Sequence, residues 1–436
     1  MGEVIIGLLG IAVLLVLLFL GMHIGAAMTF VGILGTWVLT GSLAAALGVL
    51  KVTPFTVAAS FSRSVVPMFV LMGNLAFHSG ISTDLYAACY RLMSRLRGGL
   101  AIATIAACSF FSAICGSSTA TTVTMGVVCL PEMKKYNYKI GLTCGSICAG
   151  GTLGILIPPS VGFILYGMNA EIAVGRMFMA GILPGIVLTL CYIATVIILC
   201  RIDPEAGPMG PSFTLKERLV TLKGIVPILV LFGLVLGGVF LGWFTPNEGG
   251  AVGAAGSLAF LLLRKKVSLE TFRGVVKALR DTTQTTAMVT LILIGAYLFG
   301  YFLTLSNLPA TMAEWAIGLN VSPYLILALM LGVYALLGCF VDSLPLIVLL
   351  VPIFLPIVKA IGLDPIWFGV LMVMMMELGL ITPPVGMVCY VMTGIAKDVP
   401  LGVVFRGTAP FVIPLIVATA IVIAFPALAT WLPSLM

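Results

Sequence analysis

Residues 110–133 read FFSAICGSSTATTVTMGVVCLPEM and set Gly116, Ser117, Ser118, Thr119, Thr121 and Thr122 inside a run that is otherwise apolar. Hydroxyl and carbonyl oxygens can hold a polar guest without placing net charge in a low-dielectric medium. A second stretch, GCFVDSLPLIVLLVPIFLP, begins at Gly338 and adds a carboxylate, Asp342, beside Ser343. Two Pro-Pro segments accompany them, LGILIPPSVGFILYG (153–167) and LGLITPPVGMVCYVM (378–392). Each proline removes an amide donor and clashes with the preceding turn, so the interrupted helix exposes carbonyls. No GxxxxGK phosphate loop and no HExxH occur, and the two histidines, His23 and His78, stand apart. With no acid pair near the polar stretches either, the residues point to binding rather than to an enzyme.

These residues need elements to hold them, and composition says of what kind. The chain has 436 residues, 61% apolar and 8% charged, with a mean hydropathy of +1.24. That defines a multispanning, all-α membrane protein in a lipid bilayer. The opening stretch MGEVIIGLLGIAVLLVLLFLG lacks a basic start and runs straight into a second apolar stretch, so it reads as a retained span rather than a secretory signal. The ten cysteines lie in or beside apolar segments with no CxxC pair, as small core residues do. The net charge of +7 reports topology, not nucleic acid.

A repeat organises the chain. Gly154 matches Gly379, Pro158 matches Pro383 and Pro159 matches Pro384, and the same offset carries Pro131 onto Pro356, Ser117 onto Asp342 and Ser118 onto Ser343. Arg91, Arg95 and Arg97, with Lys134, Lys135 and Lys139, bracket the first polar stretch, whereas the loops around 316–323 and 359–365 carry almost no positive charge. By the positive-inside rule the first pair of loops is cytoplasmic and the second external, so the halves are inverted repeats. Apolar spans fall near 4–22, 24–48, 66–90, 139–168 and 177–200, then 224–243, 249–263, 282–305, 365–393 and 408–432. Five spans per half place both termini outside, and of 22 Lys and Arg only Lys51, Arg63, Arg176 and Lys359 fall outside. The expected divisions are a first repeat at 1–200, a cytoplasmic linker at 201–223 and a second repeat at 224–436.

Residues 98–133 are apolar yet begin and end on one side. Each arm flanking GSST is about 15 residues, or roughly 22 Å of helix against a hydrocarbon core of about 30 Å. A re-entrant hairpin is expected there, and another at 323–358 entering from the opposite face with VDSLP at its tip. Irregular backbone at that depth belongs in a cavity or in protein. Paired hairpins facing paired broken helices, at 139–168 and 365–393, are the layout of a secondary transporter. Two segments read as interfacial arms. In 267–281, Leu269, Phe272, Val276 and Leu279 oppose Arg273, Lys277 and Arg280. At 53–66, Thr53 would cap before Pro54.

GSSTATT, LGILIPPS, VDSLPLIVLLVPIFLP and ELGLITPPVG, in this order, resemble the large membrane (M) subunit of tripartite ATP-independent periplasmic (TRAP) transporters over nearly the whole chain. The resemblance implies an elevator-type, sodium-driven importer of the bacterial inner membrane that needs no cofactor beyond Na+ as coupling ion. Its implied partners are a small four-helix membrane subunit and a periplasmic binding protein that delivers an organic acid. An ion-coupled anion transporter of the same architecture that works alone is the alternative.

Sodium is a hard cation that takes carbonyl and hydroxyl oxygens. The expected ion ligands are Ser117 and Ser118 with carbonyls of Gly154, Ile157 and Pro158, and, in the second half, Gly338, Gly379, Thr382 and Val385, where the family pattern places sodium ligands. Ser118, Thr119, Asp342 and Ser343 suit the substrate, helped by the positive ends of the second hairpin arms. An intramembrane Asp costs about 3 kcal/mol on insertion scales and is functional by default, although Asp342 also suits a helix cap. Glu377 is expected to bond the freed amides of its broken helix. Asn74 reads as a packing amide, His78 as an interface residue, and the methionines of 370–379 as adaptable packing.

Overall fold

The computed structural model describes residues 2–264, 268–319 and 321–436, and every regular element among them is helical. The first half runs α1 (Gly2–Phe19), α2 (Ile24–Thr40), α3 (Leu43–Ala58), α4 (Val65–Ser79), α5 (Ile81–Met93), α6 (Gly99–Cys115), α7 (Ser118–Lys135), α8 (Ile140–Leu156), α9 (Val161–Ala170) and α10 (Val174–Ile202). The second runs α11 (Leu215–Thr221), α12 (Val226–Phe232), α13 (Gly238–Phe240), α14 (Pro246–Arg264), α15 (Leu269–Leu305), α16 (Leu308–Gly318), α17 (Pro323–Gly338), α18 (Ser343–Ala360), α19 (Pro365–Ile381), α20 (Met387–Ile395), α21 (Leu401–Ala424) and α22 (Ala427–Thr430).

Six of these elements are long and apolar enough to cross a membrane: α1, α8 with α9, α10, α15, α18 and α21. Two bent pairs, α3 with α4 and α11 with the stretch from α12 through α13, extend the set. Large apolar side chains such as Leu9, Ile198 and Ile413 stay exposed on α1, α10 and α21, as lipid-facing residues do.

Several boundaries differ from the sequence expectation, and local chemistry explains each. The span at 24–48 stops at Gly41, whose φ of 67° ends α2, and Ser42 caps α3 by accepting from Ala45 N. Thr53 is therefore no cap; it lies inside α3 and bonds back to Val49 O. The span at 66–90 breaks at Gly80, φ 78°. The arm at 267–281 and the span at 282–305 form one 37-residue helix, α15, capped by Ser268, because no Gly or Pro separates them; Val267 lies outside the described residues. The last span begins at Leu401 and stops before Pro426.

The expected hairpin arms exceed 15 residues: α6, α7, α17 and α18 have 17, 18, 16 and 18. The second arms, α7 and α18, start at the tips, where Ser117 and Asp342 act as N-caps.

In the packing, α2 lies on α15 and α4 on α14, while α6 and α7 lie on α8, α17 on α19, α18 on α9, α20 on α7 and α10 on α21. Glycines permit the closest approaches. A methyl at Gly32 would stand 2.6 Å from the Leu298 carbonyl carbon on α15, and Gly145 of α8 touches the backbone of Gly407 on α21. The segment between halves is ordered. Ala206, Gly207 and Pro208 carbonyls accept from Lys139 N, Gly98 N and the Tyr138 hydroxyl, and Gly210 N donates to Ser94 O.

Candidate functional site

The first tip forms where α6 ends in Gly116, φ 65°, whose N–H returns to Ser112 O. A methyl at Gly116 would stand 2.7 Å from the Pro159 carbonyl oxygen, and the Gly116 carbonyl accepts from Val161 N at 3.2 Å. The tip thus rests on the break between α8 and α9. Ser117 caps α7, and its Oγ lies 3.2 Å from Thr119 Oγ1. Ser118 is buried and donates to the Thr152 carbonyl at 3.0 Å. Gly154 brings the two backbones together: a methyl there would stand 2.5 Å from the Ser117 carbonyl oxygen. Ile157 leaves the helix with extended backbone (ψ 120°), which turns its carbonyl and the Pro158–Pro159 segment out of the helical ladder.

The second tip is built the same way from different residues. Gly338 and Gly379 touch backbone to backbone; a methyl at Gly338 would stand 3.4 Å from Gly379 Cα. The Cys339 carbonyl accepts from Gly386 N at 3.4 Å, the counterpart of the Gly116–Val161 bond. Thr382 turns its hydroxyl back to Leu378 O at 2.5 Å, which leaves the oxygen lone pairs available to a cation. Val385 sits half-buried beyond Pro383 and Pro384, which are exposed, whereas Pro158 and Pro159 are buried.

Asp342 caps α18 by accepting from Ser343 N at 2.7 Å. Buried Ser343 Oγ has no hydrogen-bond partner. Glu377 corrects an expectation: it is fully buried, and although the Leu156 amide faces it, neither carboxylate oxygen meets hydrogen-bond geometry. Its sequence counterpart, Thr152, bonds instead to the Tyr192 hydroxyl at 3.1 Å.

Both tips open on one cavity of about 200 Å³. Ser117, Ser118 and Thr119 line it from the first tip, Asp342 and Ser343 from the second, and Asn74 and Thr285 from α4 and α15. Every residue expected to meet substrate is therefore in one place, with the positive N-termini of α7 and α18 facing inward. Asn74 also packs, donating to Thr282 Oγ1 at 3.0 Å. Thr285 escaped the sequence reading; the run DTTQTTAM, polar at the start of an apolar span, is the signal that marks it.

An all-α membrane protein whose helix tips converge on a cavity carrying hydroxyls and a carboxylate among apolar side chains has the architecture of a transport permease. The model for the DctM component of the tripartite ATP-independent periplasmic transporters matches residues 11–428, and the chain belongs to that family. It is 35% identical to the C4-dicarboxylate TRAP transporter large permease protein DctM of Pseudomonas aeruginosa, over 88% of this chain and 89% of that one. It is 33% identical to the sialic acid TRAP transporter large permease protein SiaM of Vibrio cholerae, over 96% of both. The solved YdaH transporter of Alcanivorax borkumensis shares the fold, with a TM-score of 0.64 over 89% of each chain at 17% identity.

Proposed function

We propose that this chain imports a small organic acid anion by sodium-coupled secondary transport, with an elevator-type movement of the two tips and broken helices against the remaining helices. The observation that carries the proposal is the shared cavity: hydroxyls of both tips and two helix N-termini converge there, with no Arg or Lys in its wall. A carboxylate can be held by helix N-termini and hydroxyls. Asp342 in the same wall repels an anion, so a cation near the tips has a direct electrostatic use. The relatives named for C4-dicarboxylate and for sialic acid have the carboxylate in common, and this is the feature proposed for the substrate.

The ion ligands proposed are Ser117, Ser118, Gly154, Ile157 and Pro158 at the first tip, and Gly338, Gly379, Thr382 and Val385 at the second. Matching close approaches at Gly154 and Gly379, and matching bonds from Val161 and Gly386, support two related sites. Reciprocal pairing of α2 with α15 and α4 with α14, and of α7 with α20 and α18 with α9, supports inverted repeats at 1–200 and 224–436. Both termini are proposed to be periplasmic in the inner membrane, with a small membrane subunit and a periplasmic binding protein as partners. Two sodium ions entering with one monoanion carry net positive charge inward, each charge gaining about 2.3 kcal/mol per 100 mV.

The test is uptake by proteoliposomes holding this chain, its small subunit and the binding protein, with sodium varied at fixed potential. Ser117→Ala and Thr382→Ala are expected to shift the sodium dependence to higher concentration. Unchanged dependence in both variants overturns the ion assignment.

A further inference from the structure

The charges of α15 all lie at one end. The helix has 37 residues, about 55 Å at 1.5 Å per residue against a hydrocarbon core of about 30 Å, so one end leaves the core or lies at its edge. Residues 282–305 carry no charge, whereas Glu270, Arg273, Lys277, Arg280 and Asp281 crowd into 269–281. This arm is fixed in its rotation about the helix axis. Thr271, Ala278 and Thr282 are buried, Asn74 Nδ2 of α4 donates to Thr282 Oγ1 at 3.0 Å, and a methyl at Gly274 would stand 3.8 Å from His78 Cβ. The remaining faces follow from a turn of about 100° per residue. Leu269, Phe272, Val276 and Leu279 share an arc of about 80° and are 65%, 65%, 47% and 49% exposed. Arg273, Lys277 and Arg280 fill the next arc, within about 80° of its edge, and Glu270 and Asp281 lie beyond them. All three cations are exposed. The ion pairs among the described residues are Lys134–Asp398, Lys139–Asp203 and Arg264–Asp84, so none of the three is paired.

We propose that this arm docks on an acidic leaflet, so that anionic phospholipids anchor the start of α15 at the membrane surface. The order around the helix points to this partner. Apolar side chains enter the acyl region, the cations come next at the depth of the phosphates, and the acids lie furthest from lipid. Lys and Arg can hold this position because their methylene stems lie along apolar surface while the charge stays at the interface. A zwitterionic leaflet offers three unpaired cations no net attraction, whereas an acidic one draws each of them. The apolar stripe also continues onto the span, where Tyr297 and Tyr301 fall on the same arc and are 45% and 44% exposed, so the face is continuous with a lipid-facing surface. An interfacial helix as such needs no particular lipid; this one is assigned a negatively charged surface. The inference rests on α15 crossing the bilayer, and only the choice of the cytoplasmic leaflet rests on the orientation proposed above.

The experiment is hydrogen–deuterium exchange of the full chain in nanodiscs of phosphatidylcholine alone or mixed with phosphatidylglycerol, read on peptides within 268–281. Exchange of the arm is expected to be roughly tenfold slower with phosphatidylglycerol, and the difference to shrink at high salt. Arg273→Gln, Lys277→Gln and Arg280→Gln together are expected to abolish the difference, whereas Glu270→Gln with Asp281→Asn keeps it. Equal exchange of the wild-type arm in the two lipids overturns the proposal, whether or not the triple variant folds. A triple variant that keeps the full difference overturns it as well. Slowing of equal size in peptides from α1, which has no Lys or Arg, reports a general effect of the lipid and removes the arm as its seat. If adding the small membrane subunit in pure phosphatidylcholine protects the arm as strongly as phosphatidylglycerol does, the face belongs to a protein and the proposal fails. None of these readouts uses sodium or uptake, so failure of the import proposal leaves this test intact.

Discussion

At Gly154 and Gly379 the broken helices meet the tips with no room for a side chain. Overpacking of this kind costs about 1–3 kcal/mol, so Gly154→Ala is expected to lower the melting temperature and, by pushing Ser117 away, to weaken stabilisation by added sodium. Thermal unfolding in sodium against choline checks both effects; a variant with normal sodium stabilisation would place the ion elsewhere. Asp342 can be divided into its two uses. Asp342→Asn keeps an oxygen for Ser343 N, whereas Asp342→Ala loses the cap, worth about 1 kcal/mol. If the charge matters to transport, both variants lose uptake while only the alanine loses that stability. These residues were legible in the sequence because glycine, proline and hydroxyl types are rare guests in apolar helices. Glu377 was legible as buried, but that the amide facing it is Leu156 was not, since this depends on where α8 places its amides.

Among elements, α2 and α15 approach through Gly25, Gly32 and Gly295, at contacts where a side chain would strike backbone. Gly32→Val is expected to disrupt this pair and lower thermal stability, while whatever fraction folds keeps its sodium stabilisation, because the tips pack on α8 and α19 instead. Outside the membrane, Lys134 at the end of α7 holds the Asp398 carboxyl below its ordinary value, mainly through their hydrogen bond. A depressed carboxyl stabilises the fold above the ordinary aspartate value and loses that contribution as pH falls through the folded value. The melting difference between the wild type and Lys134→Gln is therefore expected to be small at neutral pH, to fade with salt and to vanish at acid pH. That several apolar helices cross the membrane followed from hydropathy, because apolar length is a local property. The joints did not: whether 267–281 lies separate from 282–305 depends on a missing breaker, and the interruption at Gly80 on a single left-handed residue.

At the scale of the whole molecule, Asn74 on α4 and Thr119 on the first tip line one cavity from elements that the elevator reading assigns to opposite bodies. Cysteines at these two positions, in a background with Cys115 replaced, are expected to halt uptake when bridged by mercury. Sodium stabilisation should survive, since the proposed ion ligands all lie within one body. Uptake continuing in the bridged protein would sink the elevator movement. The repeat and the paired polar stretches were readable from one chain because the second copy reuses residue types at a fixed offset. The cavity wall from α4 and α15 was not, because which helix faces a tip is set by packing across hundreds of residues. The segment between the halves carries one more consequence. Its carbonyls at Ala206, Gly207 and Pro208 and its amide at Gly210 pin it to both feet of the first hairpin, Ser94 to Gly98 on one side and Tyr138 to Lys139 on the other. Covalent continuity there is then nearly redundant with non-covalent attachment. A gene cut after residue 204, so that the pinned segment opens the second polypeptide, is expected to yield halves that copurify, much as separately encoded subunits find one another.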